Sequence, residues 1–364
     1  MPEIRSGFVT ALYLFDVAEA IDLGSLKRQL GSTATDARLA EKTPGPTRLQ
    51  YTQPPVVVGG EAFGAATIDG FRVRVKFFDY GVIALGLSQP YAGGWIGFLG
   101  LSQTLIESEP LEQQAADACK RIVHGLASSM REPRASFLSE DYLVFAVTEF
   151  ETPATSDAVI DQHGDDIAQL LRGERQRLSR QERDEILRHR LSYLPDDLVV
   201  AAWNAAFVCD TEAGALATTE ILEFANSQLL EFRYHDDMLD SELTKLYAEL
   251  QQPRWFHGFA GRRHTRETRH MHAIFIDVNE LTDRMENAVK FVGDIYSARL
   301  FGIVTARLGL ERWKNNVQEK LTTLADIHRF AVEQTGMSHG NILELIIVLI
   351  LLIEFGMLLA GIAN

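Results

Sequence analysis

Apolar and polar positions along this chain follow two periods, and the change from one to the other falls near residue 211. Before it, short runs dominate. FVTALYLF (8–15) predicts a strand and AIDLGSLKRQL (20–30) a helix. In FRVRVKFFDYGVIALGL (71–87), Phe71, Val73 and Val75 alternate with Arg72, Arg74 and Lys76. Asp79-Tyr80-Gly81 then signals a turn into a second apolar run. This predicts a hairpin whose first strand carries a basic outer face. LEQQAADACKRIVHGLASSM (111–130) reads as a helix and DYLVFAVTEF (141–150) as a strand. SRQERDEILRHRL (179–191) opens with Ser179 and has Glu182 three residues on, a capping box leading into an amphipathic helix. DLVVAAWNAAFVCD (197–210) is apolar on both faces, so it is either a central strand or a buried helix.

After Glu212 the period becomes helical. Leu222, Ala225, Leu229, Phe232, Asp236, Leu239, Leu243, Leu246 and Leu250 follow spacings of three and four, a coiled-coil seam with one polar intruder. A second seam starts at Val278, Leu281, Met285, Ala288, Val292 and Ile295 and resumes at Val317, Leu321, Leu324 and Ala331. The chain ends in NILELIIVLILLIEFGMLLAGIAN, where 342–363 would rise roughly 33 Å as a helix, about the thickness of a bilayer core. The fold expected is therefore α+β: a mixed α/β domain over 1–211, a long antiparallel helical hairpin over 212–335, and one transmembrane anchor over 341–363.

Charge sharpens this picture. The formal net charge is −15, which excludes a general nucleic-acid binder and leaves room only for a local basic patch. Cys119 and Cys209 make no disulfide framework or metal knuckle and read as buried thiols. No leader precedes the body, so the expected localisation is an integral membrane protein, anchored at its C-terminus, with its body in the cytoplasm. Within the anchor, Glu344 would sit at headgroup depth. Glu354 would lie deeper, beside the small pair Gly356 and Ala360, and hydrogen-bond between protomers of a homo-oligomer.

Catalytic signatures are scarce. GxSxG, GxxxxGK[ST] and HExxH do not occur, and VVVGGEAFG (56–64) is not GxGxxG. Two clusters remain. His235, Asp236 and Asp240 could share one helix face and hold a metal. In RWFHGFAGRRHTRETRHMHA (254–273), Arg254, Arg262, Arg263, Arg266 and Arg269 reverse the local charge beside Trp255, Phe256 and Phe259. That combination suits RNA, anionic lipid headgroups or the protein's own acidic surface.

Three stretches together resemble the required-for-meiotic-nuclear-division and Sad1-interacting-factor family, a domain-of-unknown-function family: FFDYGVIALGL (77–87), NAVKFVGDIYSARLFGIVTARLGLERWKNNVQEKLTTLADI (287–327) and LELIIVLILLIE (343–354). The residues carrying the resemblance are Tyr80, Gly81 and Val82; Gly293, Asp294, Tyr296, Ala298 and Arg299; Trp313, Lys320, Leu321 and Leu324; and Glu344 and Glu354. Residues 89–135 depart from the family, and the missing targeting sequence suggests a bacterial member in the inner membrane. The resemblance implies a homo-oligomer without established enzyme activity, cofactor or small-molecule substrate, and a link to translation. The expectation is thus a non-enzymatic, membrane-anchored scaffold whose partners are its own copies, the bilayer, and ribosomes or RNA. A metal-dependent enzyme using Asp236, Asp240 and His235, or a lipid-binding membrane organiser, are the alternatives.

Overall fold

The computed structural model describes residues 3–36, 54–106, 108–250, 273–283, 295–327 and 329. They fall into two compact units: Met1–Tyr234 with Asn279–Lys314, and His235–Val278 with Asn315–Asn364.

The first unit is built on one sheet. Its strands are β1 (Ile4–Ile21), β2 (Thr35–Asp36), β3 (Val56–Gly59), β4 (Thr67–Ile68), β5 (Phe71–Phe77), β6 (Val82–Gly93), β7 (Met130–Phe150), β8 (Arg190–Leu191), β9 (Leu198–Ala201) and β10 (Ala205–Cys209). The order across the sheet is β2-β3-β5-β6-β1-β7-β10-β9-β8, with β4 beside β5. All pairs are antiparallel except β7 with β10, where Phe145 lies opposite Phe207. That parallel pair needs a crossover, and α4 (Ser156–Arg172) and α5 (Arg180–Arg188) supply it. The other helices are α1 (Leu23–Leu30), α2 (Trp95–Leu105), α3 (Glu109–Leu126), α6 (Glu212–Leu250) and α7 (Ile295–Leu308).

The strand period of two divides the sheet into faces. Val9, Ala11, Tyr13, Phe15 and Val17 of β1 join Phe98, Ala115, Ile122 and Ile167 of α2, α3 and α4 in the main apolar core. Thr10, Leu12, Leu14 and Asp16 alternate with them and are equally buried, because α6 covers part of the opposite face. The hairpin expected over 71–87 forms, with Val73 opposite Leu87. Gly81 closes its turn at φ +90, where an added Cβ would stand 1.8 Å from the Ala18 carbonyl oxygen. The ambiguous stretch 197–210 resolves into the β9–β10 hairpin. GGWIGFLG becomes the start of α2, and VVVGG is the sheet strand β3, not a phosphate loop. Cys119 and Cys209 are buried free thiols.

Two expectations are corrected. The α+β class stands on a ten-stranded sheet, but the transmembrane part of the expected fold is not supported. Among the described residues no helix is long and apolar enough to cross a membrane. The 39-residue α6 is the longest helix among the described residues, and it carries Glu220, Glu223, Glu231 and Asp236 within it. Residues 341–363, with Glu344, Glu354, Gly356 and Ala360, lie outside the described residues, so the expected membrane anchor and the inner-membrane localisation lose their support. The second helical seam is also interrupted. Gly309, at φ +70, turns the chain between α7 and the helical residues 310–327. Ile295, placed on the seam by spacing, is 73% exposed.

Candidate functional site

The basic side of β5 does not face solvent as the alternation suggested. Helix α6 lays two carboxylates over it. Lys76, 2% exposed, pairs with Glu223, which is fully buried, and its Nζ lies 3.0 Å from Glu220 Oε2. Arg74 donates to Glu220 Oε1 at 2.9 Å and reaches Glu223 Oε2 at 3.4 Å. The Glu223 carboxylate raises the pKa of Arg74. Burial pushes Glu220 upward, but Lys76 and Arg74 outweigh it and hold the carboxyl below its usual range.

The same helix face continues the seam. The Tyr80 and Ser227 hydroxyls are 2.7 Å apart, and Arg233 pairs with Glu140. Arg134 donates to Asp16 Oδ1 at 2.7 Å, its guanidinium 3.5 Å from the Tyr234 ring centroid. Four cations thus meet four carboxylates: Arg74, Lys76, Arg134 and Arg233 with Glu220, Glu223, Asp16 and Glu140. These contacts fasten α6 to the sheet.

Asp16 gives this fastening a pH dependence. Burial pushes its carboxyl up to about 6, against the opposing effect of Arg134. Between the ordinary carboxylate pKa and about 6, the folded state keeps a proton that the unfolded chain has lost, so stability falls as pH rises through that window. Urea unfolding of the wild type and of Asp16→Asn, compared from pH 4 to pH 7, should show this fall only in the wild type. Parallel curves would refute it.

A different set of cations includes two, Arg190 and Arg299, without ion pairs among the described residues. Between the start of α4 and strand β8 lies a cavity of about 240 Å³, bordered by Ser156, Asp157, Arg190, Ser192 and Arg299, with Ile160, Leu191 and Leu198 as apolar lining. A second cavity of about 650 Å³ shares Ile160 and Arg190 with it and adds Arg183, Asp184, Leu187 and Arg188. Together they form a groove in which four arginines face two aspartates. Arg183 is engaged with Asp165 and Asp184, and Arg188 with Glu185. Arg190 donates only to the Leu187 carbonyl oxygen, and Arg299 has no ion pair among the described residues. Both are exposed.

Neighbouring groups are already tied down. At the α4 N-terminus, Ser156 N–H donates to the Pro195 oxygen at 2.8 Å and Ala158 N–H to the Thr155 hydroxyl. With these N–H groups occupied, the groove's positive charge comes from its arginines and not from the helix end. The buried Asp197 accepts from Tyr193 N–H at 2.6 Å and Leu194 N–H at 3.0 Å, fixing the loop after β8. The ring of Tyr193 stands edge-on to Tyr296 of α7, with centroids 6.0 Å apart.

The other expected site residues scatter. In the second unit Asp236 and Asp240 do converge, but on Lys320, whose Nζ lies 2.8 and 2.7 Å from their carboxylates. Partial burial lowers the Lys320 pKa, and its hydrogen bonds to the two aspartates more than reverse this. An ammonium group thus sits where the alternative reading would put a metal, and among the described residues no His, Cys, Asp and Glu cluster could hold one. His235 is buried on the same helix. Trp313 is half-buried, and its N–H donates to the Gly309 oxygen in the turn after α7. Arg254, Arg262, Arg263, Arg266 and Arg269 lie outside the described residues, as do Gly293 and Asp294. Of the groove, the sequence reading had singled out only Arg299, and that by resemblance. The available signal was density: seven arginines against four carboxylates between 172 and 190.

Residues 6–215 match the family model described as the N-terminal domain of the uncharacterized protein MJ0711. The chain belongs to this family. A relative, the uncharacterized protein MJ0711 of Methanocaldococcus jannaschii, is 23% identical over 235 residues, 65% of this chain and 70% of that protein. No solved structure matches. Membership of the MJ0711 N-terminal-domain family overturns the resemblance to the meiotic-division and Sad1-interacting family, and an archaeal relative gives no support to a bacterial origin. The reason lies partly in Tyr80-Gly81: the turn forbids any Cβ at Gly81, so the motif reports hairpin geometry rather than descent. The matched range holds the sheet and Arg183, Arg188 and Arg190, and it ends before Arg299.

Proposed function

We propose that the protein is a non-enzymatic RNA-binding module and that the arginine groove of the first unit is its contact surface. One observation carries this reading: Arg190 of β8 and Arg299 of α7, both without ion pairs among the described residues, border one cavity in a chain of net charge −15. An exposed guanidinium kept out of ion pairs in so acidic a chain is free to bind a ligand. Its planar fork matches the paired oxygens of a phosphodiester, and the hydroxyls of Ser156 and Ser192 add polar contacts at the same rim. Arg183 and Arg188 extend the basic path along the second cavity. A ribosome tether at a membrane no longer follows, since the anchor has lost its support.

Arginine–phosphate contacts release counterions condensed on the RNA, so binding should weaken as salt rises. Each phosphate neutralised on a single strand contributes a slope of about −0.7 in log K against log salt. Fluorescence anisotropy with a labelled RNA oligonucleotide should show binding that weakens with salt. Arg190→Ala and Arg299→Ala should each weaken it several-fold and flatten the slope by about 0.7. Both side chains are exposed, so the thermal midpoint should stay unchanged. Unaltered slopes in both variants, or equal affinity for polyglutamate, would overturn the proposal.

A further inference from the structure

Resting on the RNA-binding reading, we infer that the groove takes its RNA as a single strand, with one phosphate between Arg190 and Arg299 and the adjoining base on the ring of Tyr193. Tyr193 follows Ser192, which borders the smaller cavity, and is 55% exposed despite being aromatic. An exposed tyrosine on a loop is ordinarily a mobile side chain. This one is held at both ends of its length. Asp197 fixes its backbone by accepting from its own N–H and from the next, and Tyr296 meets the ring edge-on, while more than half of the residue stays open to solvent. Tyr296 is itself buried, and Arg299 follows it by one turn of α7. The helix that supports the ring therefore also carries Arg299 to the rim of the smaller cavity.

A fixed, open aromatic face beside a phosphate clamp selects unstacked bases. In a duplex the bases are stacked on one another and present only edges and backbone, whereas a single strand offers the flat face of each base. The groove's length agrees with this. The second cavity shares Arg190 with the first and is also lined by Arg183 and Arg188, so phosphates flanking the clamped nucleotide find further arginines there. A free mononucleotide would use only the first of the two cavities.

The test compares full-length wild type, Tyr193→Ala and Tyr193→Phe against one RNA sequence, as single strand and as duplex, with the mononucleotide as a third ligand. The single strand should bind at least about tenfold more tightly than the duplex or the mononucleotide. Tyr193→Ala should lose about tenfold or more for the single strand alone, as expected for one base–aromatic stack. Tyr193→Phe should stay within about twofold, because the ring and not the hydroxyl is used. Duplex binding as tight as single-strand binding, or single-strand affinity unchanged in Tyr193→Ala, would overturn this inference while salt-dependent, Arg299-dependent binding left the broader reading standing. Absence of RNA binding in the wild type would remove both.

Discussion

Glu223→Ala should lower the unfolding free energy by about 3–5 kcal/mol, the range for breaking a buried ion pair by removing one partner. The reason is what remains. Lys76 keeps its ammonium at 2% exposure, and Arg74 loses the carboxylate that raises its pKa, so Glu220 alone must neutralise two cations. Glu223→Gln keeps the volume and should still lose most of this, since shape is not the issue. The double variant Lys76→Met with Glu223→Leu should recover much of the loss, because a well-packed apolar pair of similar volume costs little next to a matched buried pair, and Arg74 then keeps Glu220. Urea unfolding of the three variants decides it. A single-variant loss below about 1 kcal/mol would mean that water reaches Lys76 and that the seam is a surface network, where such pairs are weak.

This seam marks the limit of what the sequence discloses. The alternation in Phe71–Phe77 predicts a strand with one apolar and one basic face, and the strand forms, but the basic face lies under α6 and not in solvent. Alternation says nothing of what covers the second face. The covering carboxylate, Glu223, lies 147 residues from Lys76. In sequence, Glu220 precedes the first seam position, Leu222, and Glu223 falls between Leu222 and Ala225, off the seam, where charge ordinarily means solvent. Neither pattern alone reveals that two polar faces cancel one another. The long helix α6 was legible because its period persists over ten turns. The β9–β10 hairpin was not, because two strands this short and this apolar lack any polar period that would separate them from a buried helix. The groove was hidden for a third reason: Arg190 and Arg299 belong to different elements far apart in the chain, and only the side-by-side placement of β8 and α7 joins them. The predicted anchor shows the opposite failure. A local hydropathy run is easily seen, yet it does not determine where the chain goes.

Phe207→Ala should cost about 3–5 kcal/mol, whereas Trp203→Ala, in the same hairpin, should change stability by no more than about 0.5 kcal/mol. Both are large aromatics in a stretch of sequence that looks uniformly apolar, so composition cannot rank them. Phe207 has no exposed surface, and Trp203 is 55% exposed. Phe207 sits opposite Phe145 on one side and Val200 on the other, and its ring centroid is 5.8 Å from that of Trp95 in α2. Strands β7 and β9 are hydrogen-bonded to β10 along both edges, so neither can move in to fill the space a truncated side chain would leave. A cavity that cannot collapse carries the full penalty for its volume in addition to the lost transfer energy. Trp203 borders the β9–β10 turn, and its removal leaves no enclosed void. Chemical denaturation of the two variants should place Phe207→Ala far below wild type and Trp203→Ala on it. Equal losses would mean that the hairpin's outer end is packed as tightly as its strands, and would place Trp203 against a surface that the described residues do not supply.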